Sequence, residues 1–141
     1  MFKKMFTPSN ISSPEQIHKE LDEIQVFLES EYAADLGEQV QKRFDSLCAY
    51  MARSGKIKAD AEWHYNSLIE SSIMEALKRG YEGRLSPSTI NKFVEAAARN
   101  YKFLVTWADR ANRACTHQLE GIRSVMSTLR SERFSNNYGR G

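Results

Sequence analysis

Two groups of side chains carry residue types that can do chemistry. Lys56, Asp60, His64 and Ser67 recur at four- and three-residue intervals, a spacing that stacks them on one helical face beside Trp63 and Tyr65. Arg110, Arg113 and His117 stand close to Trp107 and Ser124 on a second helical segment. Arginine grips phosphate bidentately, histidine and serine add donors, and aromatic rings stack on bases. Together the two groups are expected to surround a small anionic, nucleotide-like ligand between helices. The competing expectation is structural: Asp60 pairs with His64 or Lys56, while Arg110 and Arg113 pair with glutamates of the first helix.

Other chemistries fit poorly. Cys115 and His117 are two positions apart, about 200° around a helix, so their side chains diverge and cannot share an ion. The chain has two cysteines and three histidines (His18, His64, His117) at no zinc-finger spacing, so no metal site is expected. Cys48 and Cys115 make no disulfide framework and are read as free thiols of a reducing compartment. Arg53-Ser54-Gly55-Lys56 echoes a phosphate loop but lacks its earlier glycine and a preceding strand. A nucleotide hydrolase would need His64 or His117 as a general base. No catalytic residue, metal or cofactor is assigned, and the chain is read as a non-enzyme.

The elements that must position these residues follow from periodicity. Ser13-Pro14 starts a helix whose apolar residues Ile17, Leu21, Ile24, Phe27 and Tyr32 carry it to about Ala34. Val40, Phe44, Leu47 and Met51 predict a second helix, stopped at Gly55. A third is expected from about Lys56 to Arg79, closed by Gly80 and Gly83. Ser86-Pro87 opens a last helix along which Ile90, Val94, Ala97, Tyr101, Leu104, Ala108, Ala111, Cys115, Leu119, Ile122, Met126 and Leu129 form a heptad seam with one stutter. A second stripe of Phe103, Trp107, Arg110, Ala114, His117, Gly121 and Val125 predicts burial on two sides.

An unbroken helix over 87–133 would be a rod of about 70 Å, against a radius of gyration near 14 Å for a compact chain of this length. It is expected to bend near Arg99-Asn100 or to pair with another chain. The fold class is therefore all-α, a helical bundle that is expected to be a homo-oligomer. It comprises an N-terminal extension (1–12), a bundle domain (13–133) and a flexible tail (134–141).

Composition agrees with this reading. Hydrophobic residues make 41% and charged residues 27% of 141, as in globular proteins. No signal peptide or membrane-length apolar run is visible, so a cytoplasmic protein without membrane partners is expected. The net charge of +2 hides a polarity: residues 1–50 hold 5 bases and 9 acids, residues 100–141 hold 7 bases and 3 acids. The basic end can face the acidic first helix or a phosphate backbone, but a pI near 8.5 is modest for a dedicated DNA binder.

The strings YMARSGKIKADAEWH (Tyr50–His64) and WADRANRACTHQLEGIRSVMSTLRSE (Trp107–Glu132) resemble an uncharacterised family of small helical phage and prophage proteins. About half the chain is covered. Position by position, the resemblance implicates Arg53, Ser54, Lys56, Asp60, His64, Asn112, Arg113, Thr116, His117 and Gln118. It implies the cytoplasm of an infected or lysogenic bacterium. It also implies one of two jobs: a counter-defence sponge that sequesters a nucleotide immune signal such as a cyclic nucleotide or a cyclic ADP-ribose-like molecule, or an accessory of phage DNA replication or recombination that binds nucleic acid or a protein partner.

Overall fold

The computed structural model describes residues 10–83 and 86–139. These form three helices and no strand: α1 (Pro14–Glu29), α2 (Gly37–Gly83) and α3 (Pro87–Tyr138). The chain is all-α. None of the described helices is long and apolar enough to cross a membrane.

Two starts follow the cap-then-proline logic. The Ser13 hydroxyl accepts from the Gln16 N–H at 3.1 Å ahead of Pro14, and the Ser86 hydroxyl accepts from the Thr89 N–H at 3.3 Å ahead of Pro87. Each satisfies one of the orphan donors that every helix start exposes. α1 ends at Glu29, five residues before the expected stop. Ser30 is already extended, at φ −75 and ψ 148, and both its N–H and its hydroxyl bond to the Phe27 carbonyl. Tyr32 therefore belongs to the connection, not to α1.

The expected break at Gly55 does not occur. α2 runs through it without interruption for 47 residues. Gly55 costs about 1 kcal/mol against alanine in a helix, but tertiary contacts hold the segment. The Ser54 hydroxyl donates to the Met51 carbonyl, and the Asn112 amide donates to that same carbonyl at 2.9 Å and to the Ser54 hydroxyl at 3.1 Å. A Cβ added at Gly55 would stand 3.7 Å from the Asn112 amide nitrogen, an ordinary contact. The predicted second and third helices are thus one rod of about 70 Å.

α3 is likewise unbroken for 52 residues, past the expected end at 133 and into the tail as far as Tyr138. Its main partner lies in the same chain. α2 and α3 form an antiparallel hairpin, with Arg43 meeting Gln118, Ser54 meeting Asn112 and His64 meeting Tyr101. A long α3 therefore needs neither a kink nor a second chain to find a neighbour, because α2 matches it in length.

α1 fills the groove along half of this hairpin, antiparallel to α2. Ser12 meets Asp60, Glu20 meets Arg53, and Leu28 meets Arg43. Ile17, Leu21 and Ile24 are buried with Ile57, Ala61, Leu104, Ala108 and Ala111. A second cluster joins Val40 and Leu47 to Cys115, Leu119 and Ile122. Of the expected α3 seam, Ala97 is exposed and its neighbour Ala98 is buried instead.

The second stripe is not buried on two sides as expected. Phe103 is 61% exposed, Arg110 and His117 are exposed, and a Cβ added at Gly121 would meet nothing within 4 Å. α1 has only 16 residues. It covers Trp107, whose indole donates to the Gln25 side chain at 3.1 Å, and leaves Phe103, Arg110, His117 and Gly121 exposed, while Ala114 and Val125 are half-buried.

Leu21→Ala should cost about 2–5 kcal/mol in urea denaturation, the range for a fully buried leucine. Val26→Ala, at a side chain 70% exposed, should stay within about 0.5 kcal/mol. Equal effects would mean that α1 does not pack in this register.

Candidate functional site

The first predicted group comes together, on the chain's own N-terminal lead-in. Arg53, Lys56, Asp60 and His64 line the α2 face that meets Asn10–Ser12 and Glu20. The Arg53 guanidinium forks onto Glu20, Nε to Oε1 at 3.1 Å and Nη2 to Oε2 at 2.6 Å, and reaches the Ser12 hydroxyl at 3.1 Å. Asp60 is only 3% exposed and accepts from the Ser12 N–H at 3.1 Å and from Lys56. Lys56 also donates to the Asn10 carbonyl at 2.9 Å. His64 Nε2 donates to the Ser12 carbonyl at 2.7 Å, and its ring stacks on Tyr101. Ser12 thus has its N–H, its carbonyl and its hydroxyl all held by α2.

Electrostatics follow this geometry. Burial pushes the Asp60 carboxyl up, but the hydrogen bonds from Lys56 and the Ser12 N–H, with the Lys56 charge, outweigh it, and the carboxyl titrates below its ordinary value. The hydrogen bond to Glu20 holds the Arg53 guanidinium above its own. Both groups are charged at neutral pH and both are committed. A carboxylate in this state is an anchor and a poor proton shuttle.

The second group sits apart from the first. Arg113 pairs with Asp109 on its own helix at 3.1 Å, and His117, its side chain 79% exposed, lies 3.8 Å from Glu120. From α2 it is Lys58 that reaches Asp109, at 3.0 Å. Lys58 is two positions from Lys56, about 200° around the helix, so the two groups use different sides of α2. The bond from Lys58 and the neighbouring arginines hold the Asp109 carboxyl below its ordinary value. Arg110 is exposed. Of the expected stacking residues, Trp63 is 39% exposed, Tyr65 is half-buried, and Trp107 lies edge-on to His18. No group of three metal-ligating side chains occurs among the described residues. Cys115 is buried, and burial raises its thiol, so it packs as the protonated form.

One polar residue that the sequence reading passed over is Arg43. It occupies a core-facing position between Val40 and Leu47 and is only 6% exposed. Its Nη1 donates to the Ser30 hydroxyl at 2.7 Å, and its Nη2 to the Gln118 side chain at 2.8 Å and the Leu28 carbonyl at 3.3 Å. Its guanidinium carbon lies 4.0 Å from the centre of the Phe27 ring and 5.2 Å from that of Tyr32. The available signal was an arginine set among Val40, Phe44 and Leu47 at helical core spacing.

No protein-family model matches the chain, and neither a curated protein nor a solved structure is significantly similar to it.

Asp60→Asn should lower stability by about 1–3 kcal/mol at pH 7, the cost of weakening a buried hydrogen-bonded acceptor. The folded carboxyl titrates below the unfolded one, so its contribution is complete above about pH 4 and is lost as the pH falls through the folded value. The gap between wild type and Asp60→Asn should close in that acid window when followed by circular dichroism. A gap that is constant down to pH 2 would contradict the clasp.

Proposed function

We propose that this chain is a non-enzymatic binding protein that works as a homo-oligomer, two copies joined through the part of the α2–α3 hairpin that α1 leaves uncovered. The carrying observation is how this arm distributes its side chains. Its buried seam holds small residues, Ser72, Ala76, Val94 and Ala98, while Ile73, Met74, Leu77 and Phe93 stand 41%, 57%, 56% and 57% exposed. In the other half of the hairpin, Ile17, Leu21 and Ile24 of α1 bring a third layer and bury Ile57 and Leu104, although Val26 and Phe103 stay exposed at its edges.

A second copy suits the arm better than an unrelated chain. Ile69, Ile73 and Leu77 recur every four residues and form one stripe along α2. The charges beside it are compensated within the helix, since Arg79 pairs with Glu75 at 2.9 Å, so the stripe is bordered by no uncompensated charge of that pair. An antiparallel, two-fold pairing lays the stripe of one copy along the same stripe of the other, and the contact closes on itself. Two hairpins joined in this way make a four-helix bundle.

Sequestration of a small anionic, nucleotide-like ligand, the role first expected from the sequence, stays within this proposal. Its residues need revision, since Arg53, Lys56, Asp60 and His64 are engaged with Asn10–Ser12 and Glu20. The second reading is nucleic-acid binding, favoured by Arg110, Arg113, Arg123, Arg130 and Arg133, all exposed along α3.

Sedimentation equilibrium tests the assembly. Wild type should sediment at twice 16.2 kDa, and a Met74→Glu/Leu77→Glu variant at 16.2 kDa with unchanged helicity. A wild-type chain that remains at 16.2 kDa through the high micromolar range removes the proposal. For nucleic acid, log affinity should fall linearly with log salt, with a slope set by the phosphates contacted. A flat response removes that reading.

A further inference from the structure

We infer that the cavity beside Arg43, where the end of α1 meets the start of α2, is a binding site for a small molecule carrying a single phosphate group. This goes beyond assembly through the arm and does not depend on it.

The first ground is an uncompensated charge. Among the described residues Arg43 is the one base that is buried. Arg53, Lys56, Lys58, Arg79 and Arg113 each pair with a carboxylate, although all of them are more exposed. Arg43 pairs with none: its three acceptors are a hydroxyl, an amide and a backbone carbonyl, and its Nε–H has no partner. Burial accordingly presses its guanidinium below the ordinary value, although an arginine keeps its charge. The Phe27 and Tyr32 rings and the carbonyl end of α1 offset part of this cost. None of them supplies a negative charge.

The second ground is the space beside it. A cavity of about 460 Å³ is walled by Arg43, Lys42, Ser30, Ser46, Gln39 and Tyr32. That volume lies in the range of small-molecule sites, about 300–1,000 Å³. The wall offers two cations, the Ser46 hydroxyl and the Gln39 amide as donors for a phosphate, and an aromatic ring for an apolar remainder. A phosphate oxygen that displaces the Ser30 hydroxyl from Arg43 Nη1 replaces a neutral acceptor with an anionic one and gives the guanidinium an ion pair, which none of its present acceptors supplies. Glu31, exposed on the same wall, is the one acid there. It disfavours polyphosphates and fits the site to a single phosphate.

Isothermal titration of the full chain with inorganic phosphate and with phenyl phosphate tests this. Both should bind, phenyl phosphate more tightly because its ring meets Tyr32. Lys42→Ala should weaken both about tenfold, the size of effect expected from losing one charged contact to an anion. Lys42 is exposed, so that variant keeps the fold; Arg43→Gln, checked for helicity, should abolish binding. Three outcomes overturn the inference. They are no heat with either probe at millimolar concentration, equal binding by wild type and Lys42→Ala, and a response that chloride reproduces.

Discussion

The fold depends on one buried charge. Arg43 reaches from α2 to the last residues of α1, through Leu28 and Ser30, and to Gln118 of α3. Gln118 in turn donates to the Leu28 carbonyl at 2.9 Å, so the three helices close a ring of hydrogen bonds around the end of α1. A helix end exposes carbonyls without partners, and a cation there satisfies them and complements the dipole. This explains why α1 stops at Glu29 while its apolar pattern runs on to Tyr32: the carbonyl of Leu28 belongs to Arg43.

At the other end of α1 a second clasp does the same work with ordinary ion pairs. Arg53, Lys56, Asp60 and His64 hold Asn10, Ser12 and Glu20. Between the clasps lie Ile17, Leu21 and Ile24, fully packed. α1 is therefore fixed at both ends and apolar in the middle. The half of the hairpin it covers has large apolar side chains buried among three helices, and the other half is a pair of helices with small residues between them and large ones outside. The asymmetry between the halves is what the proposed assembly explains.

Much of the architecture was legible in the sequence. Ser13-Pro14 and Ser86-Pro87 mark true helix starts, while the apolar periodicity after Pro87 leaves a bend near Arg99-Asn100 open, and the helix runs unbroken to Tyr138. Local signals failed where a distant residue decides the outcome. Gly55 reads as a stop, yet Asn112, 57 positions later, bonds to Met51 and Ser54 and holds the helix through it. The second α3 stripe reads as buried because spacing reports a face and not whether anything covers it. The spacing of Lys56, Asp60 and His64 did place them on one face of α2. What it could not report is that the partner waiting there is residue 12 of the same chain.

The central claim is that the arm's large apolar residues are covered by a second copy. Amide hydrogen exchange measured across a dilution series tests it most directly. Dimerisation predicts that protection over 65–83 and 87–100 falls as the protein is diluted, while protection over 14–29, fixed by intramolecular clasps, stays constant. Protection of both regions that is independent of concentration would contradict it.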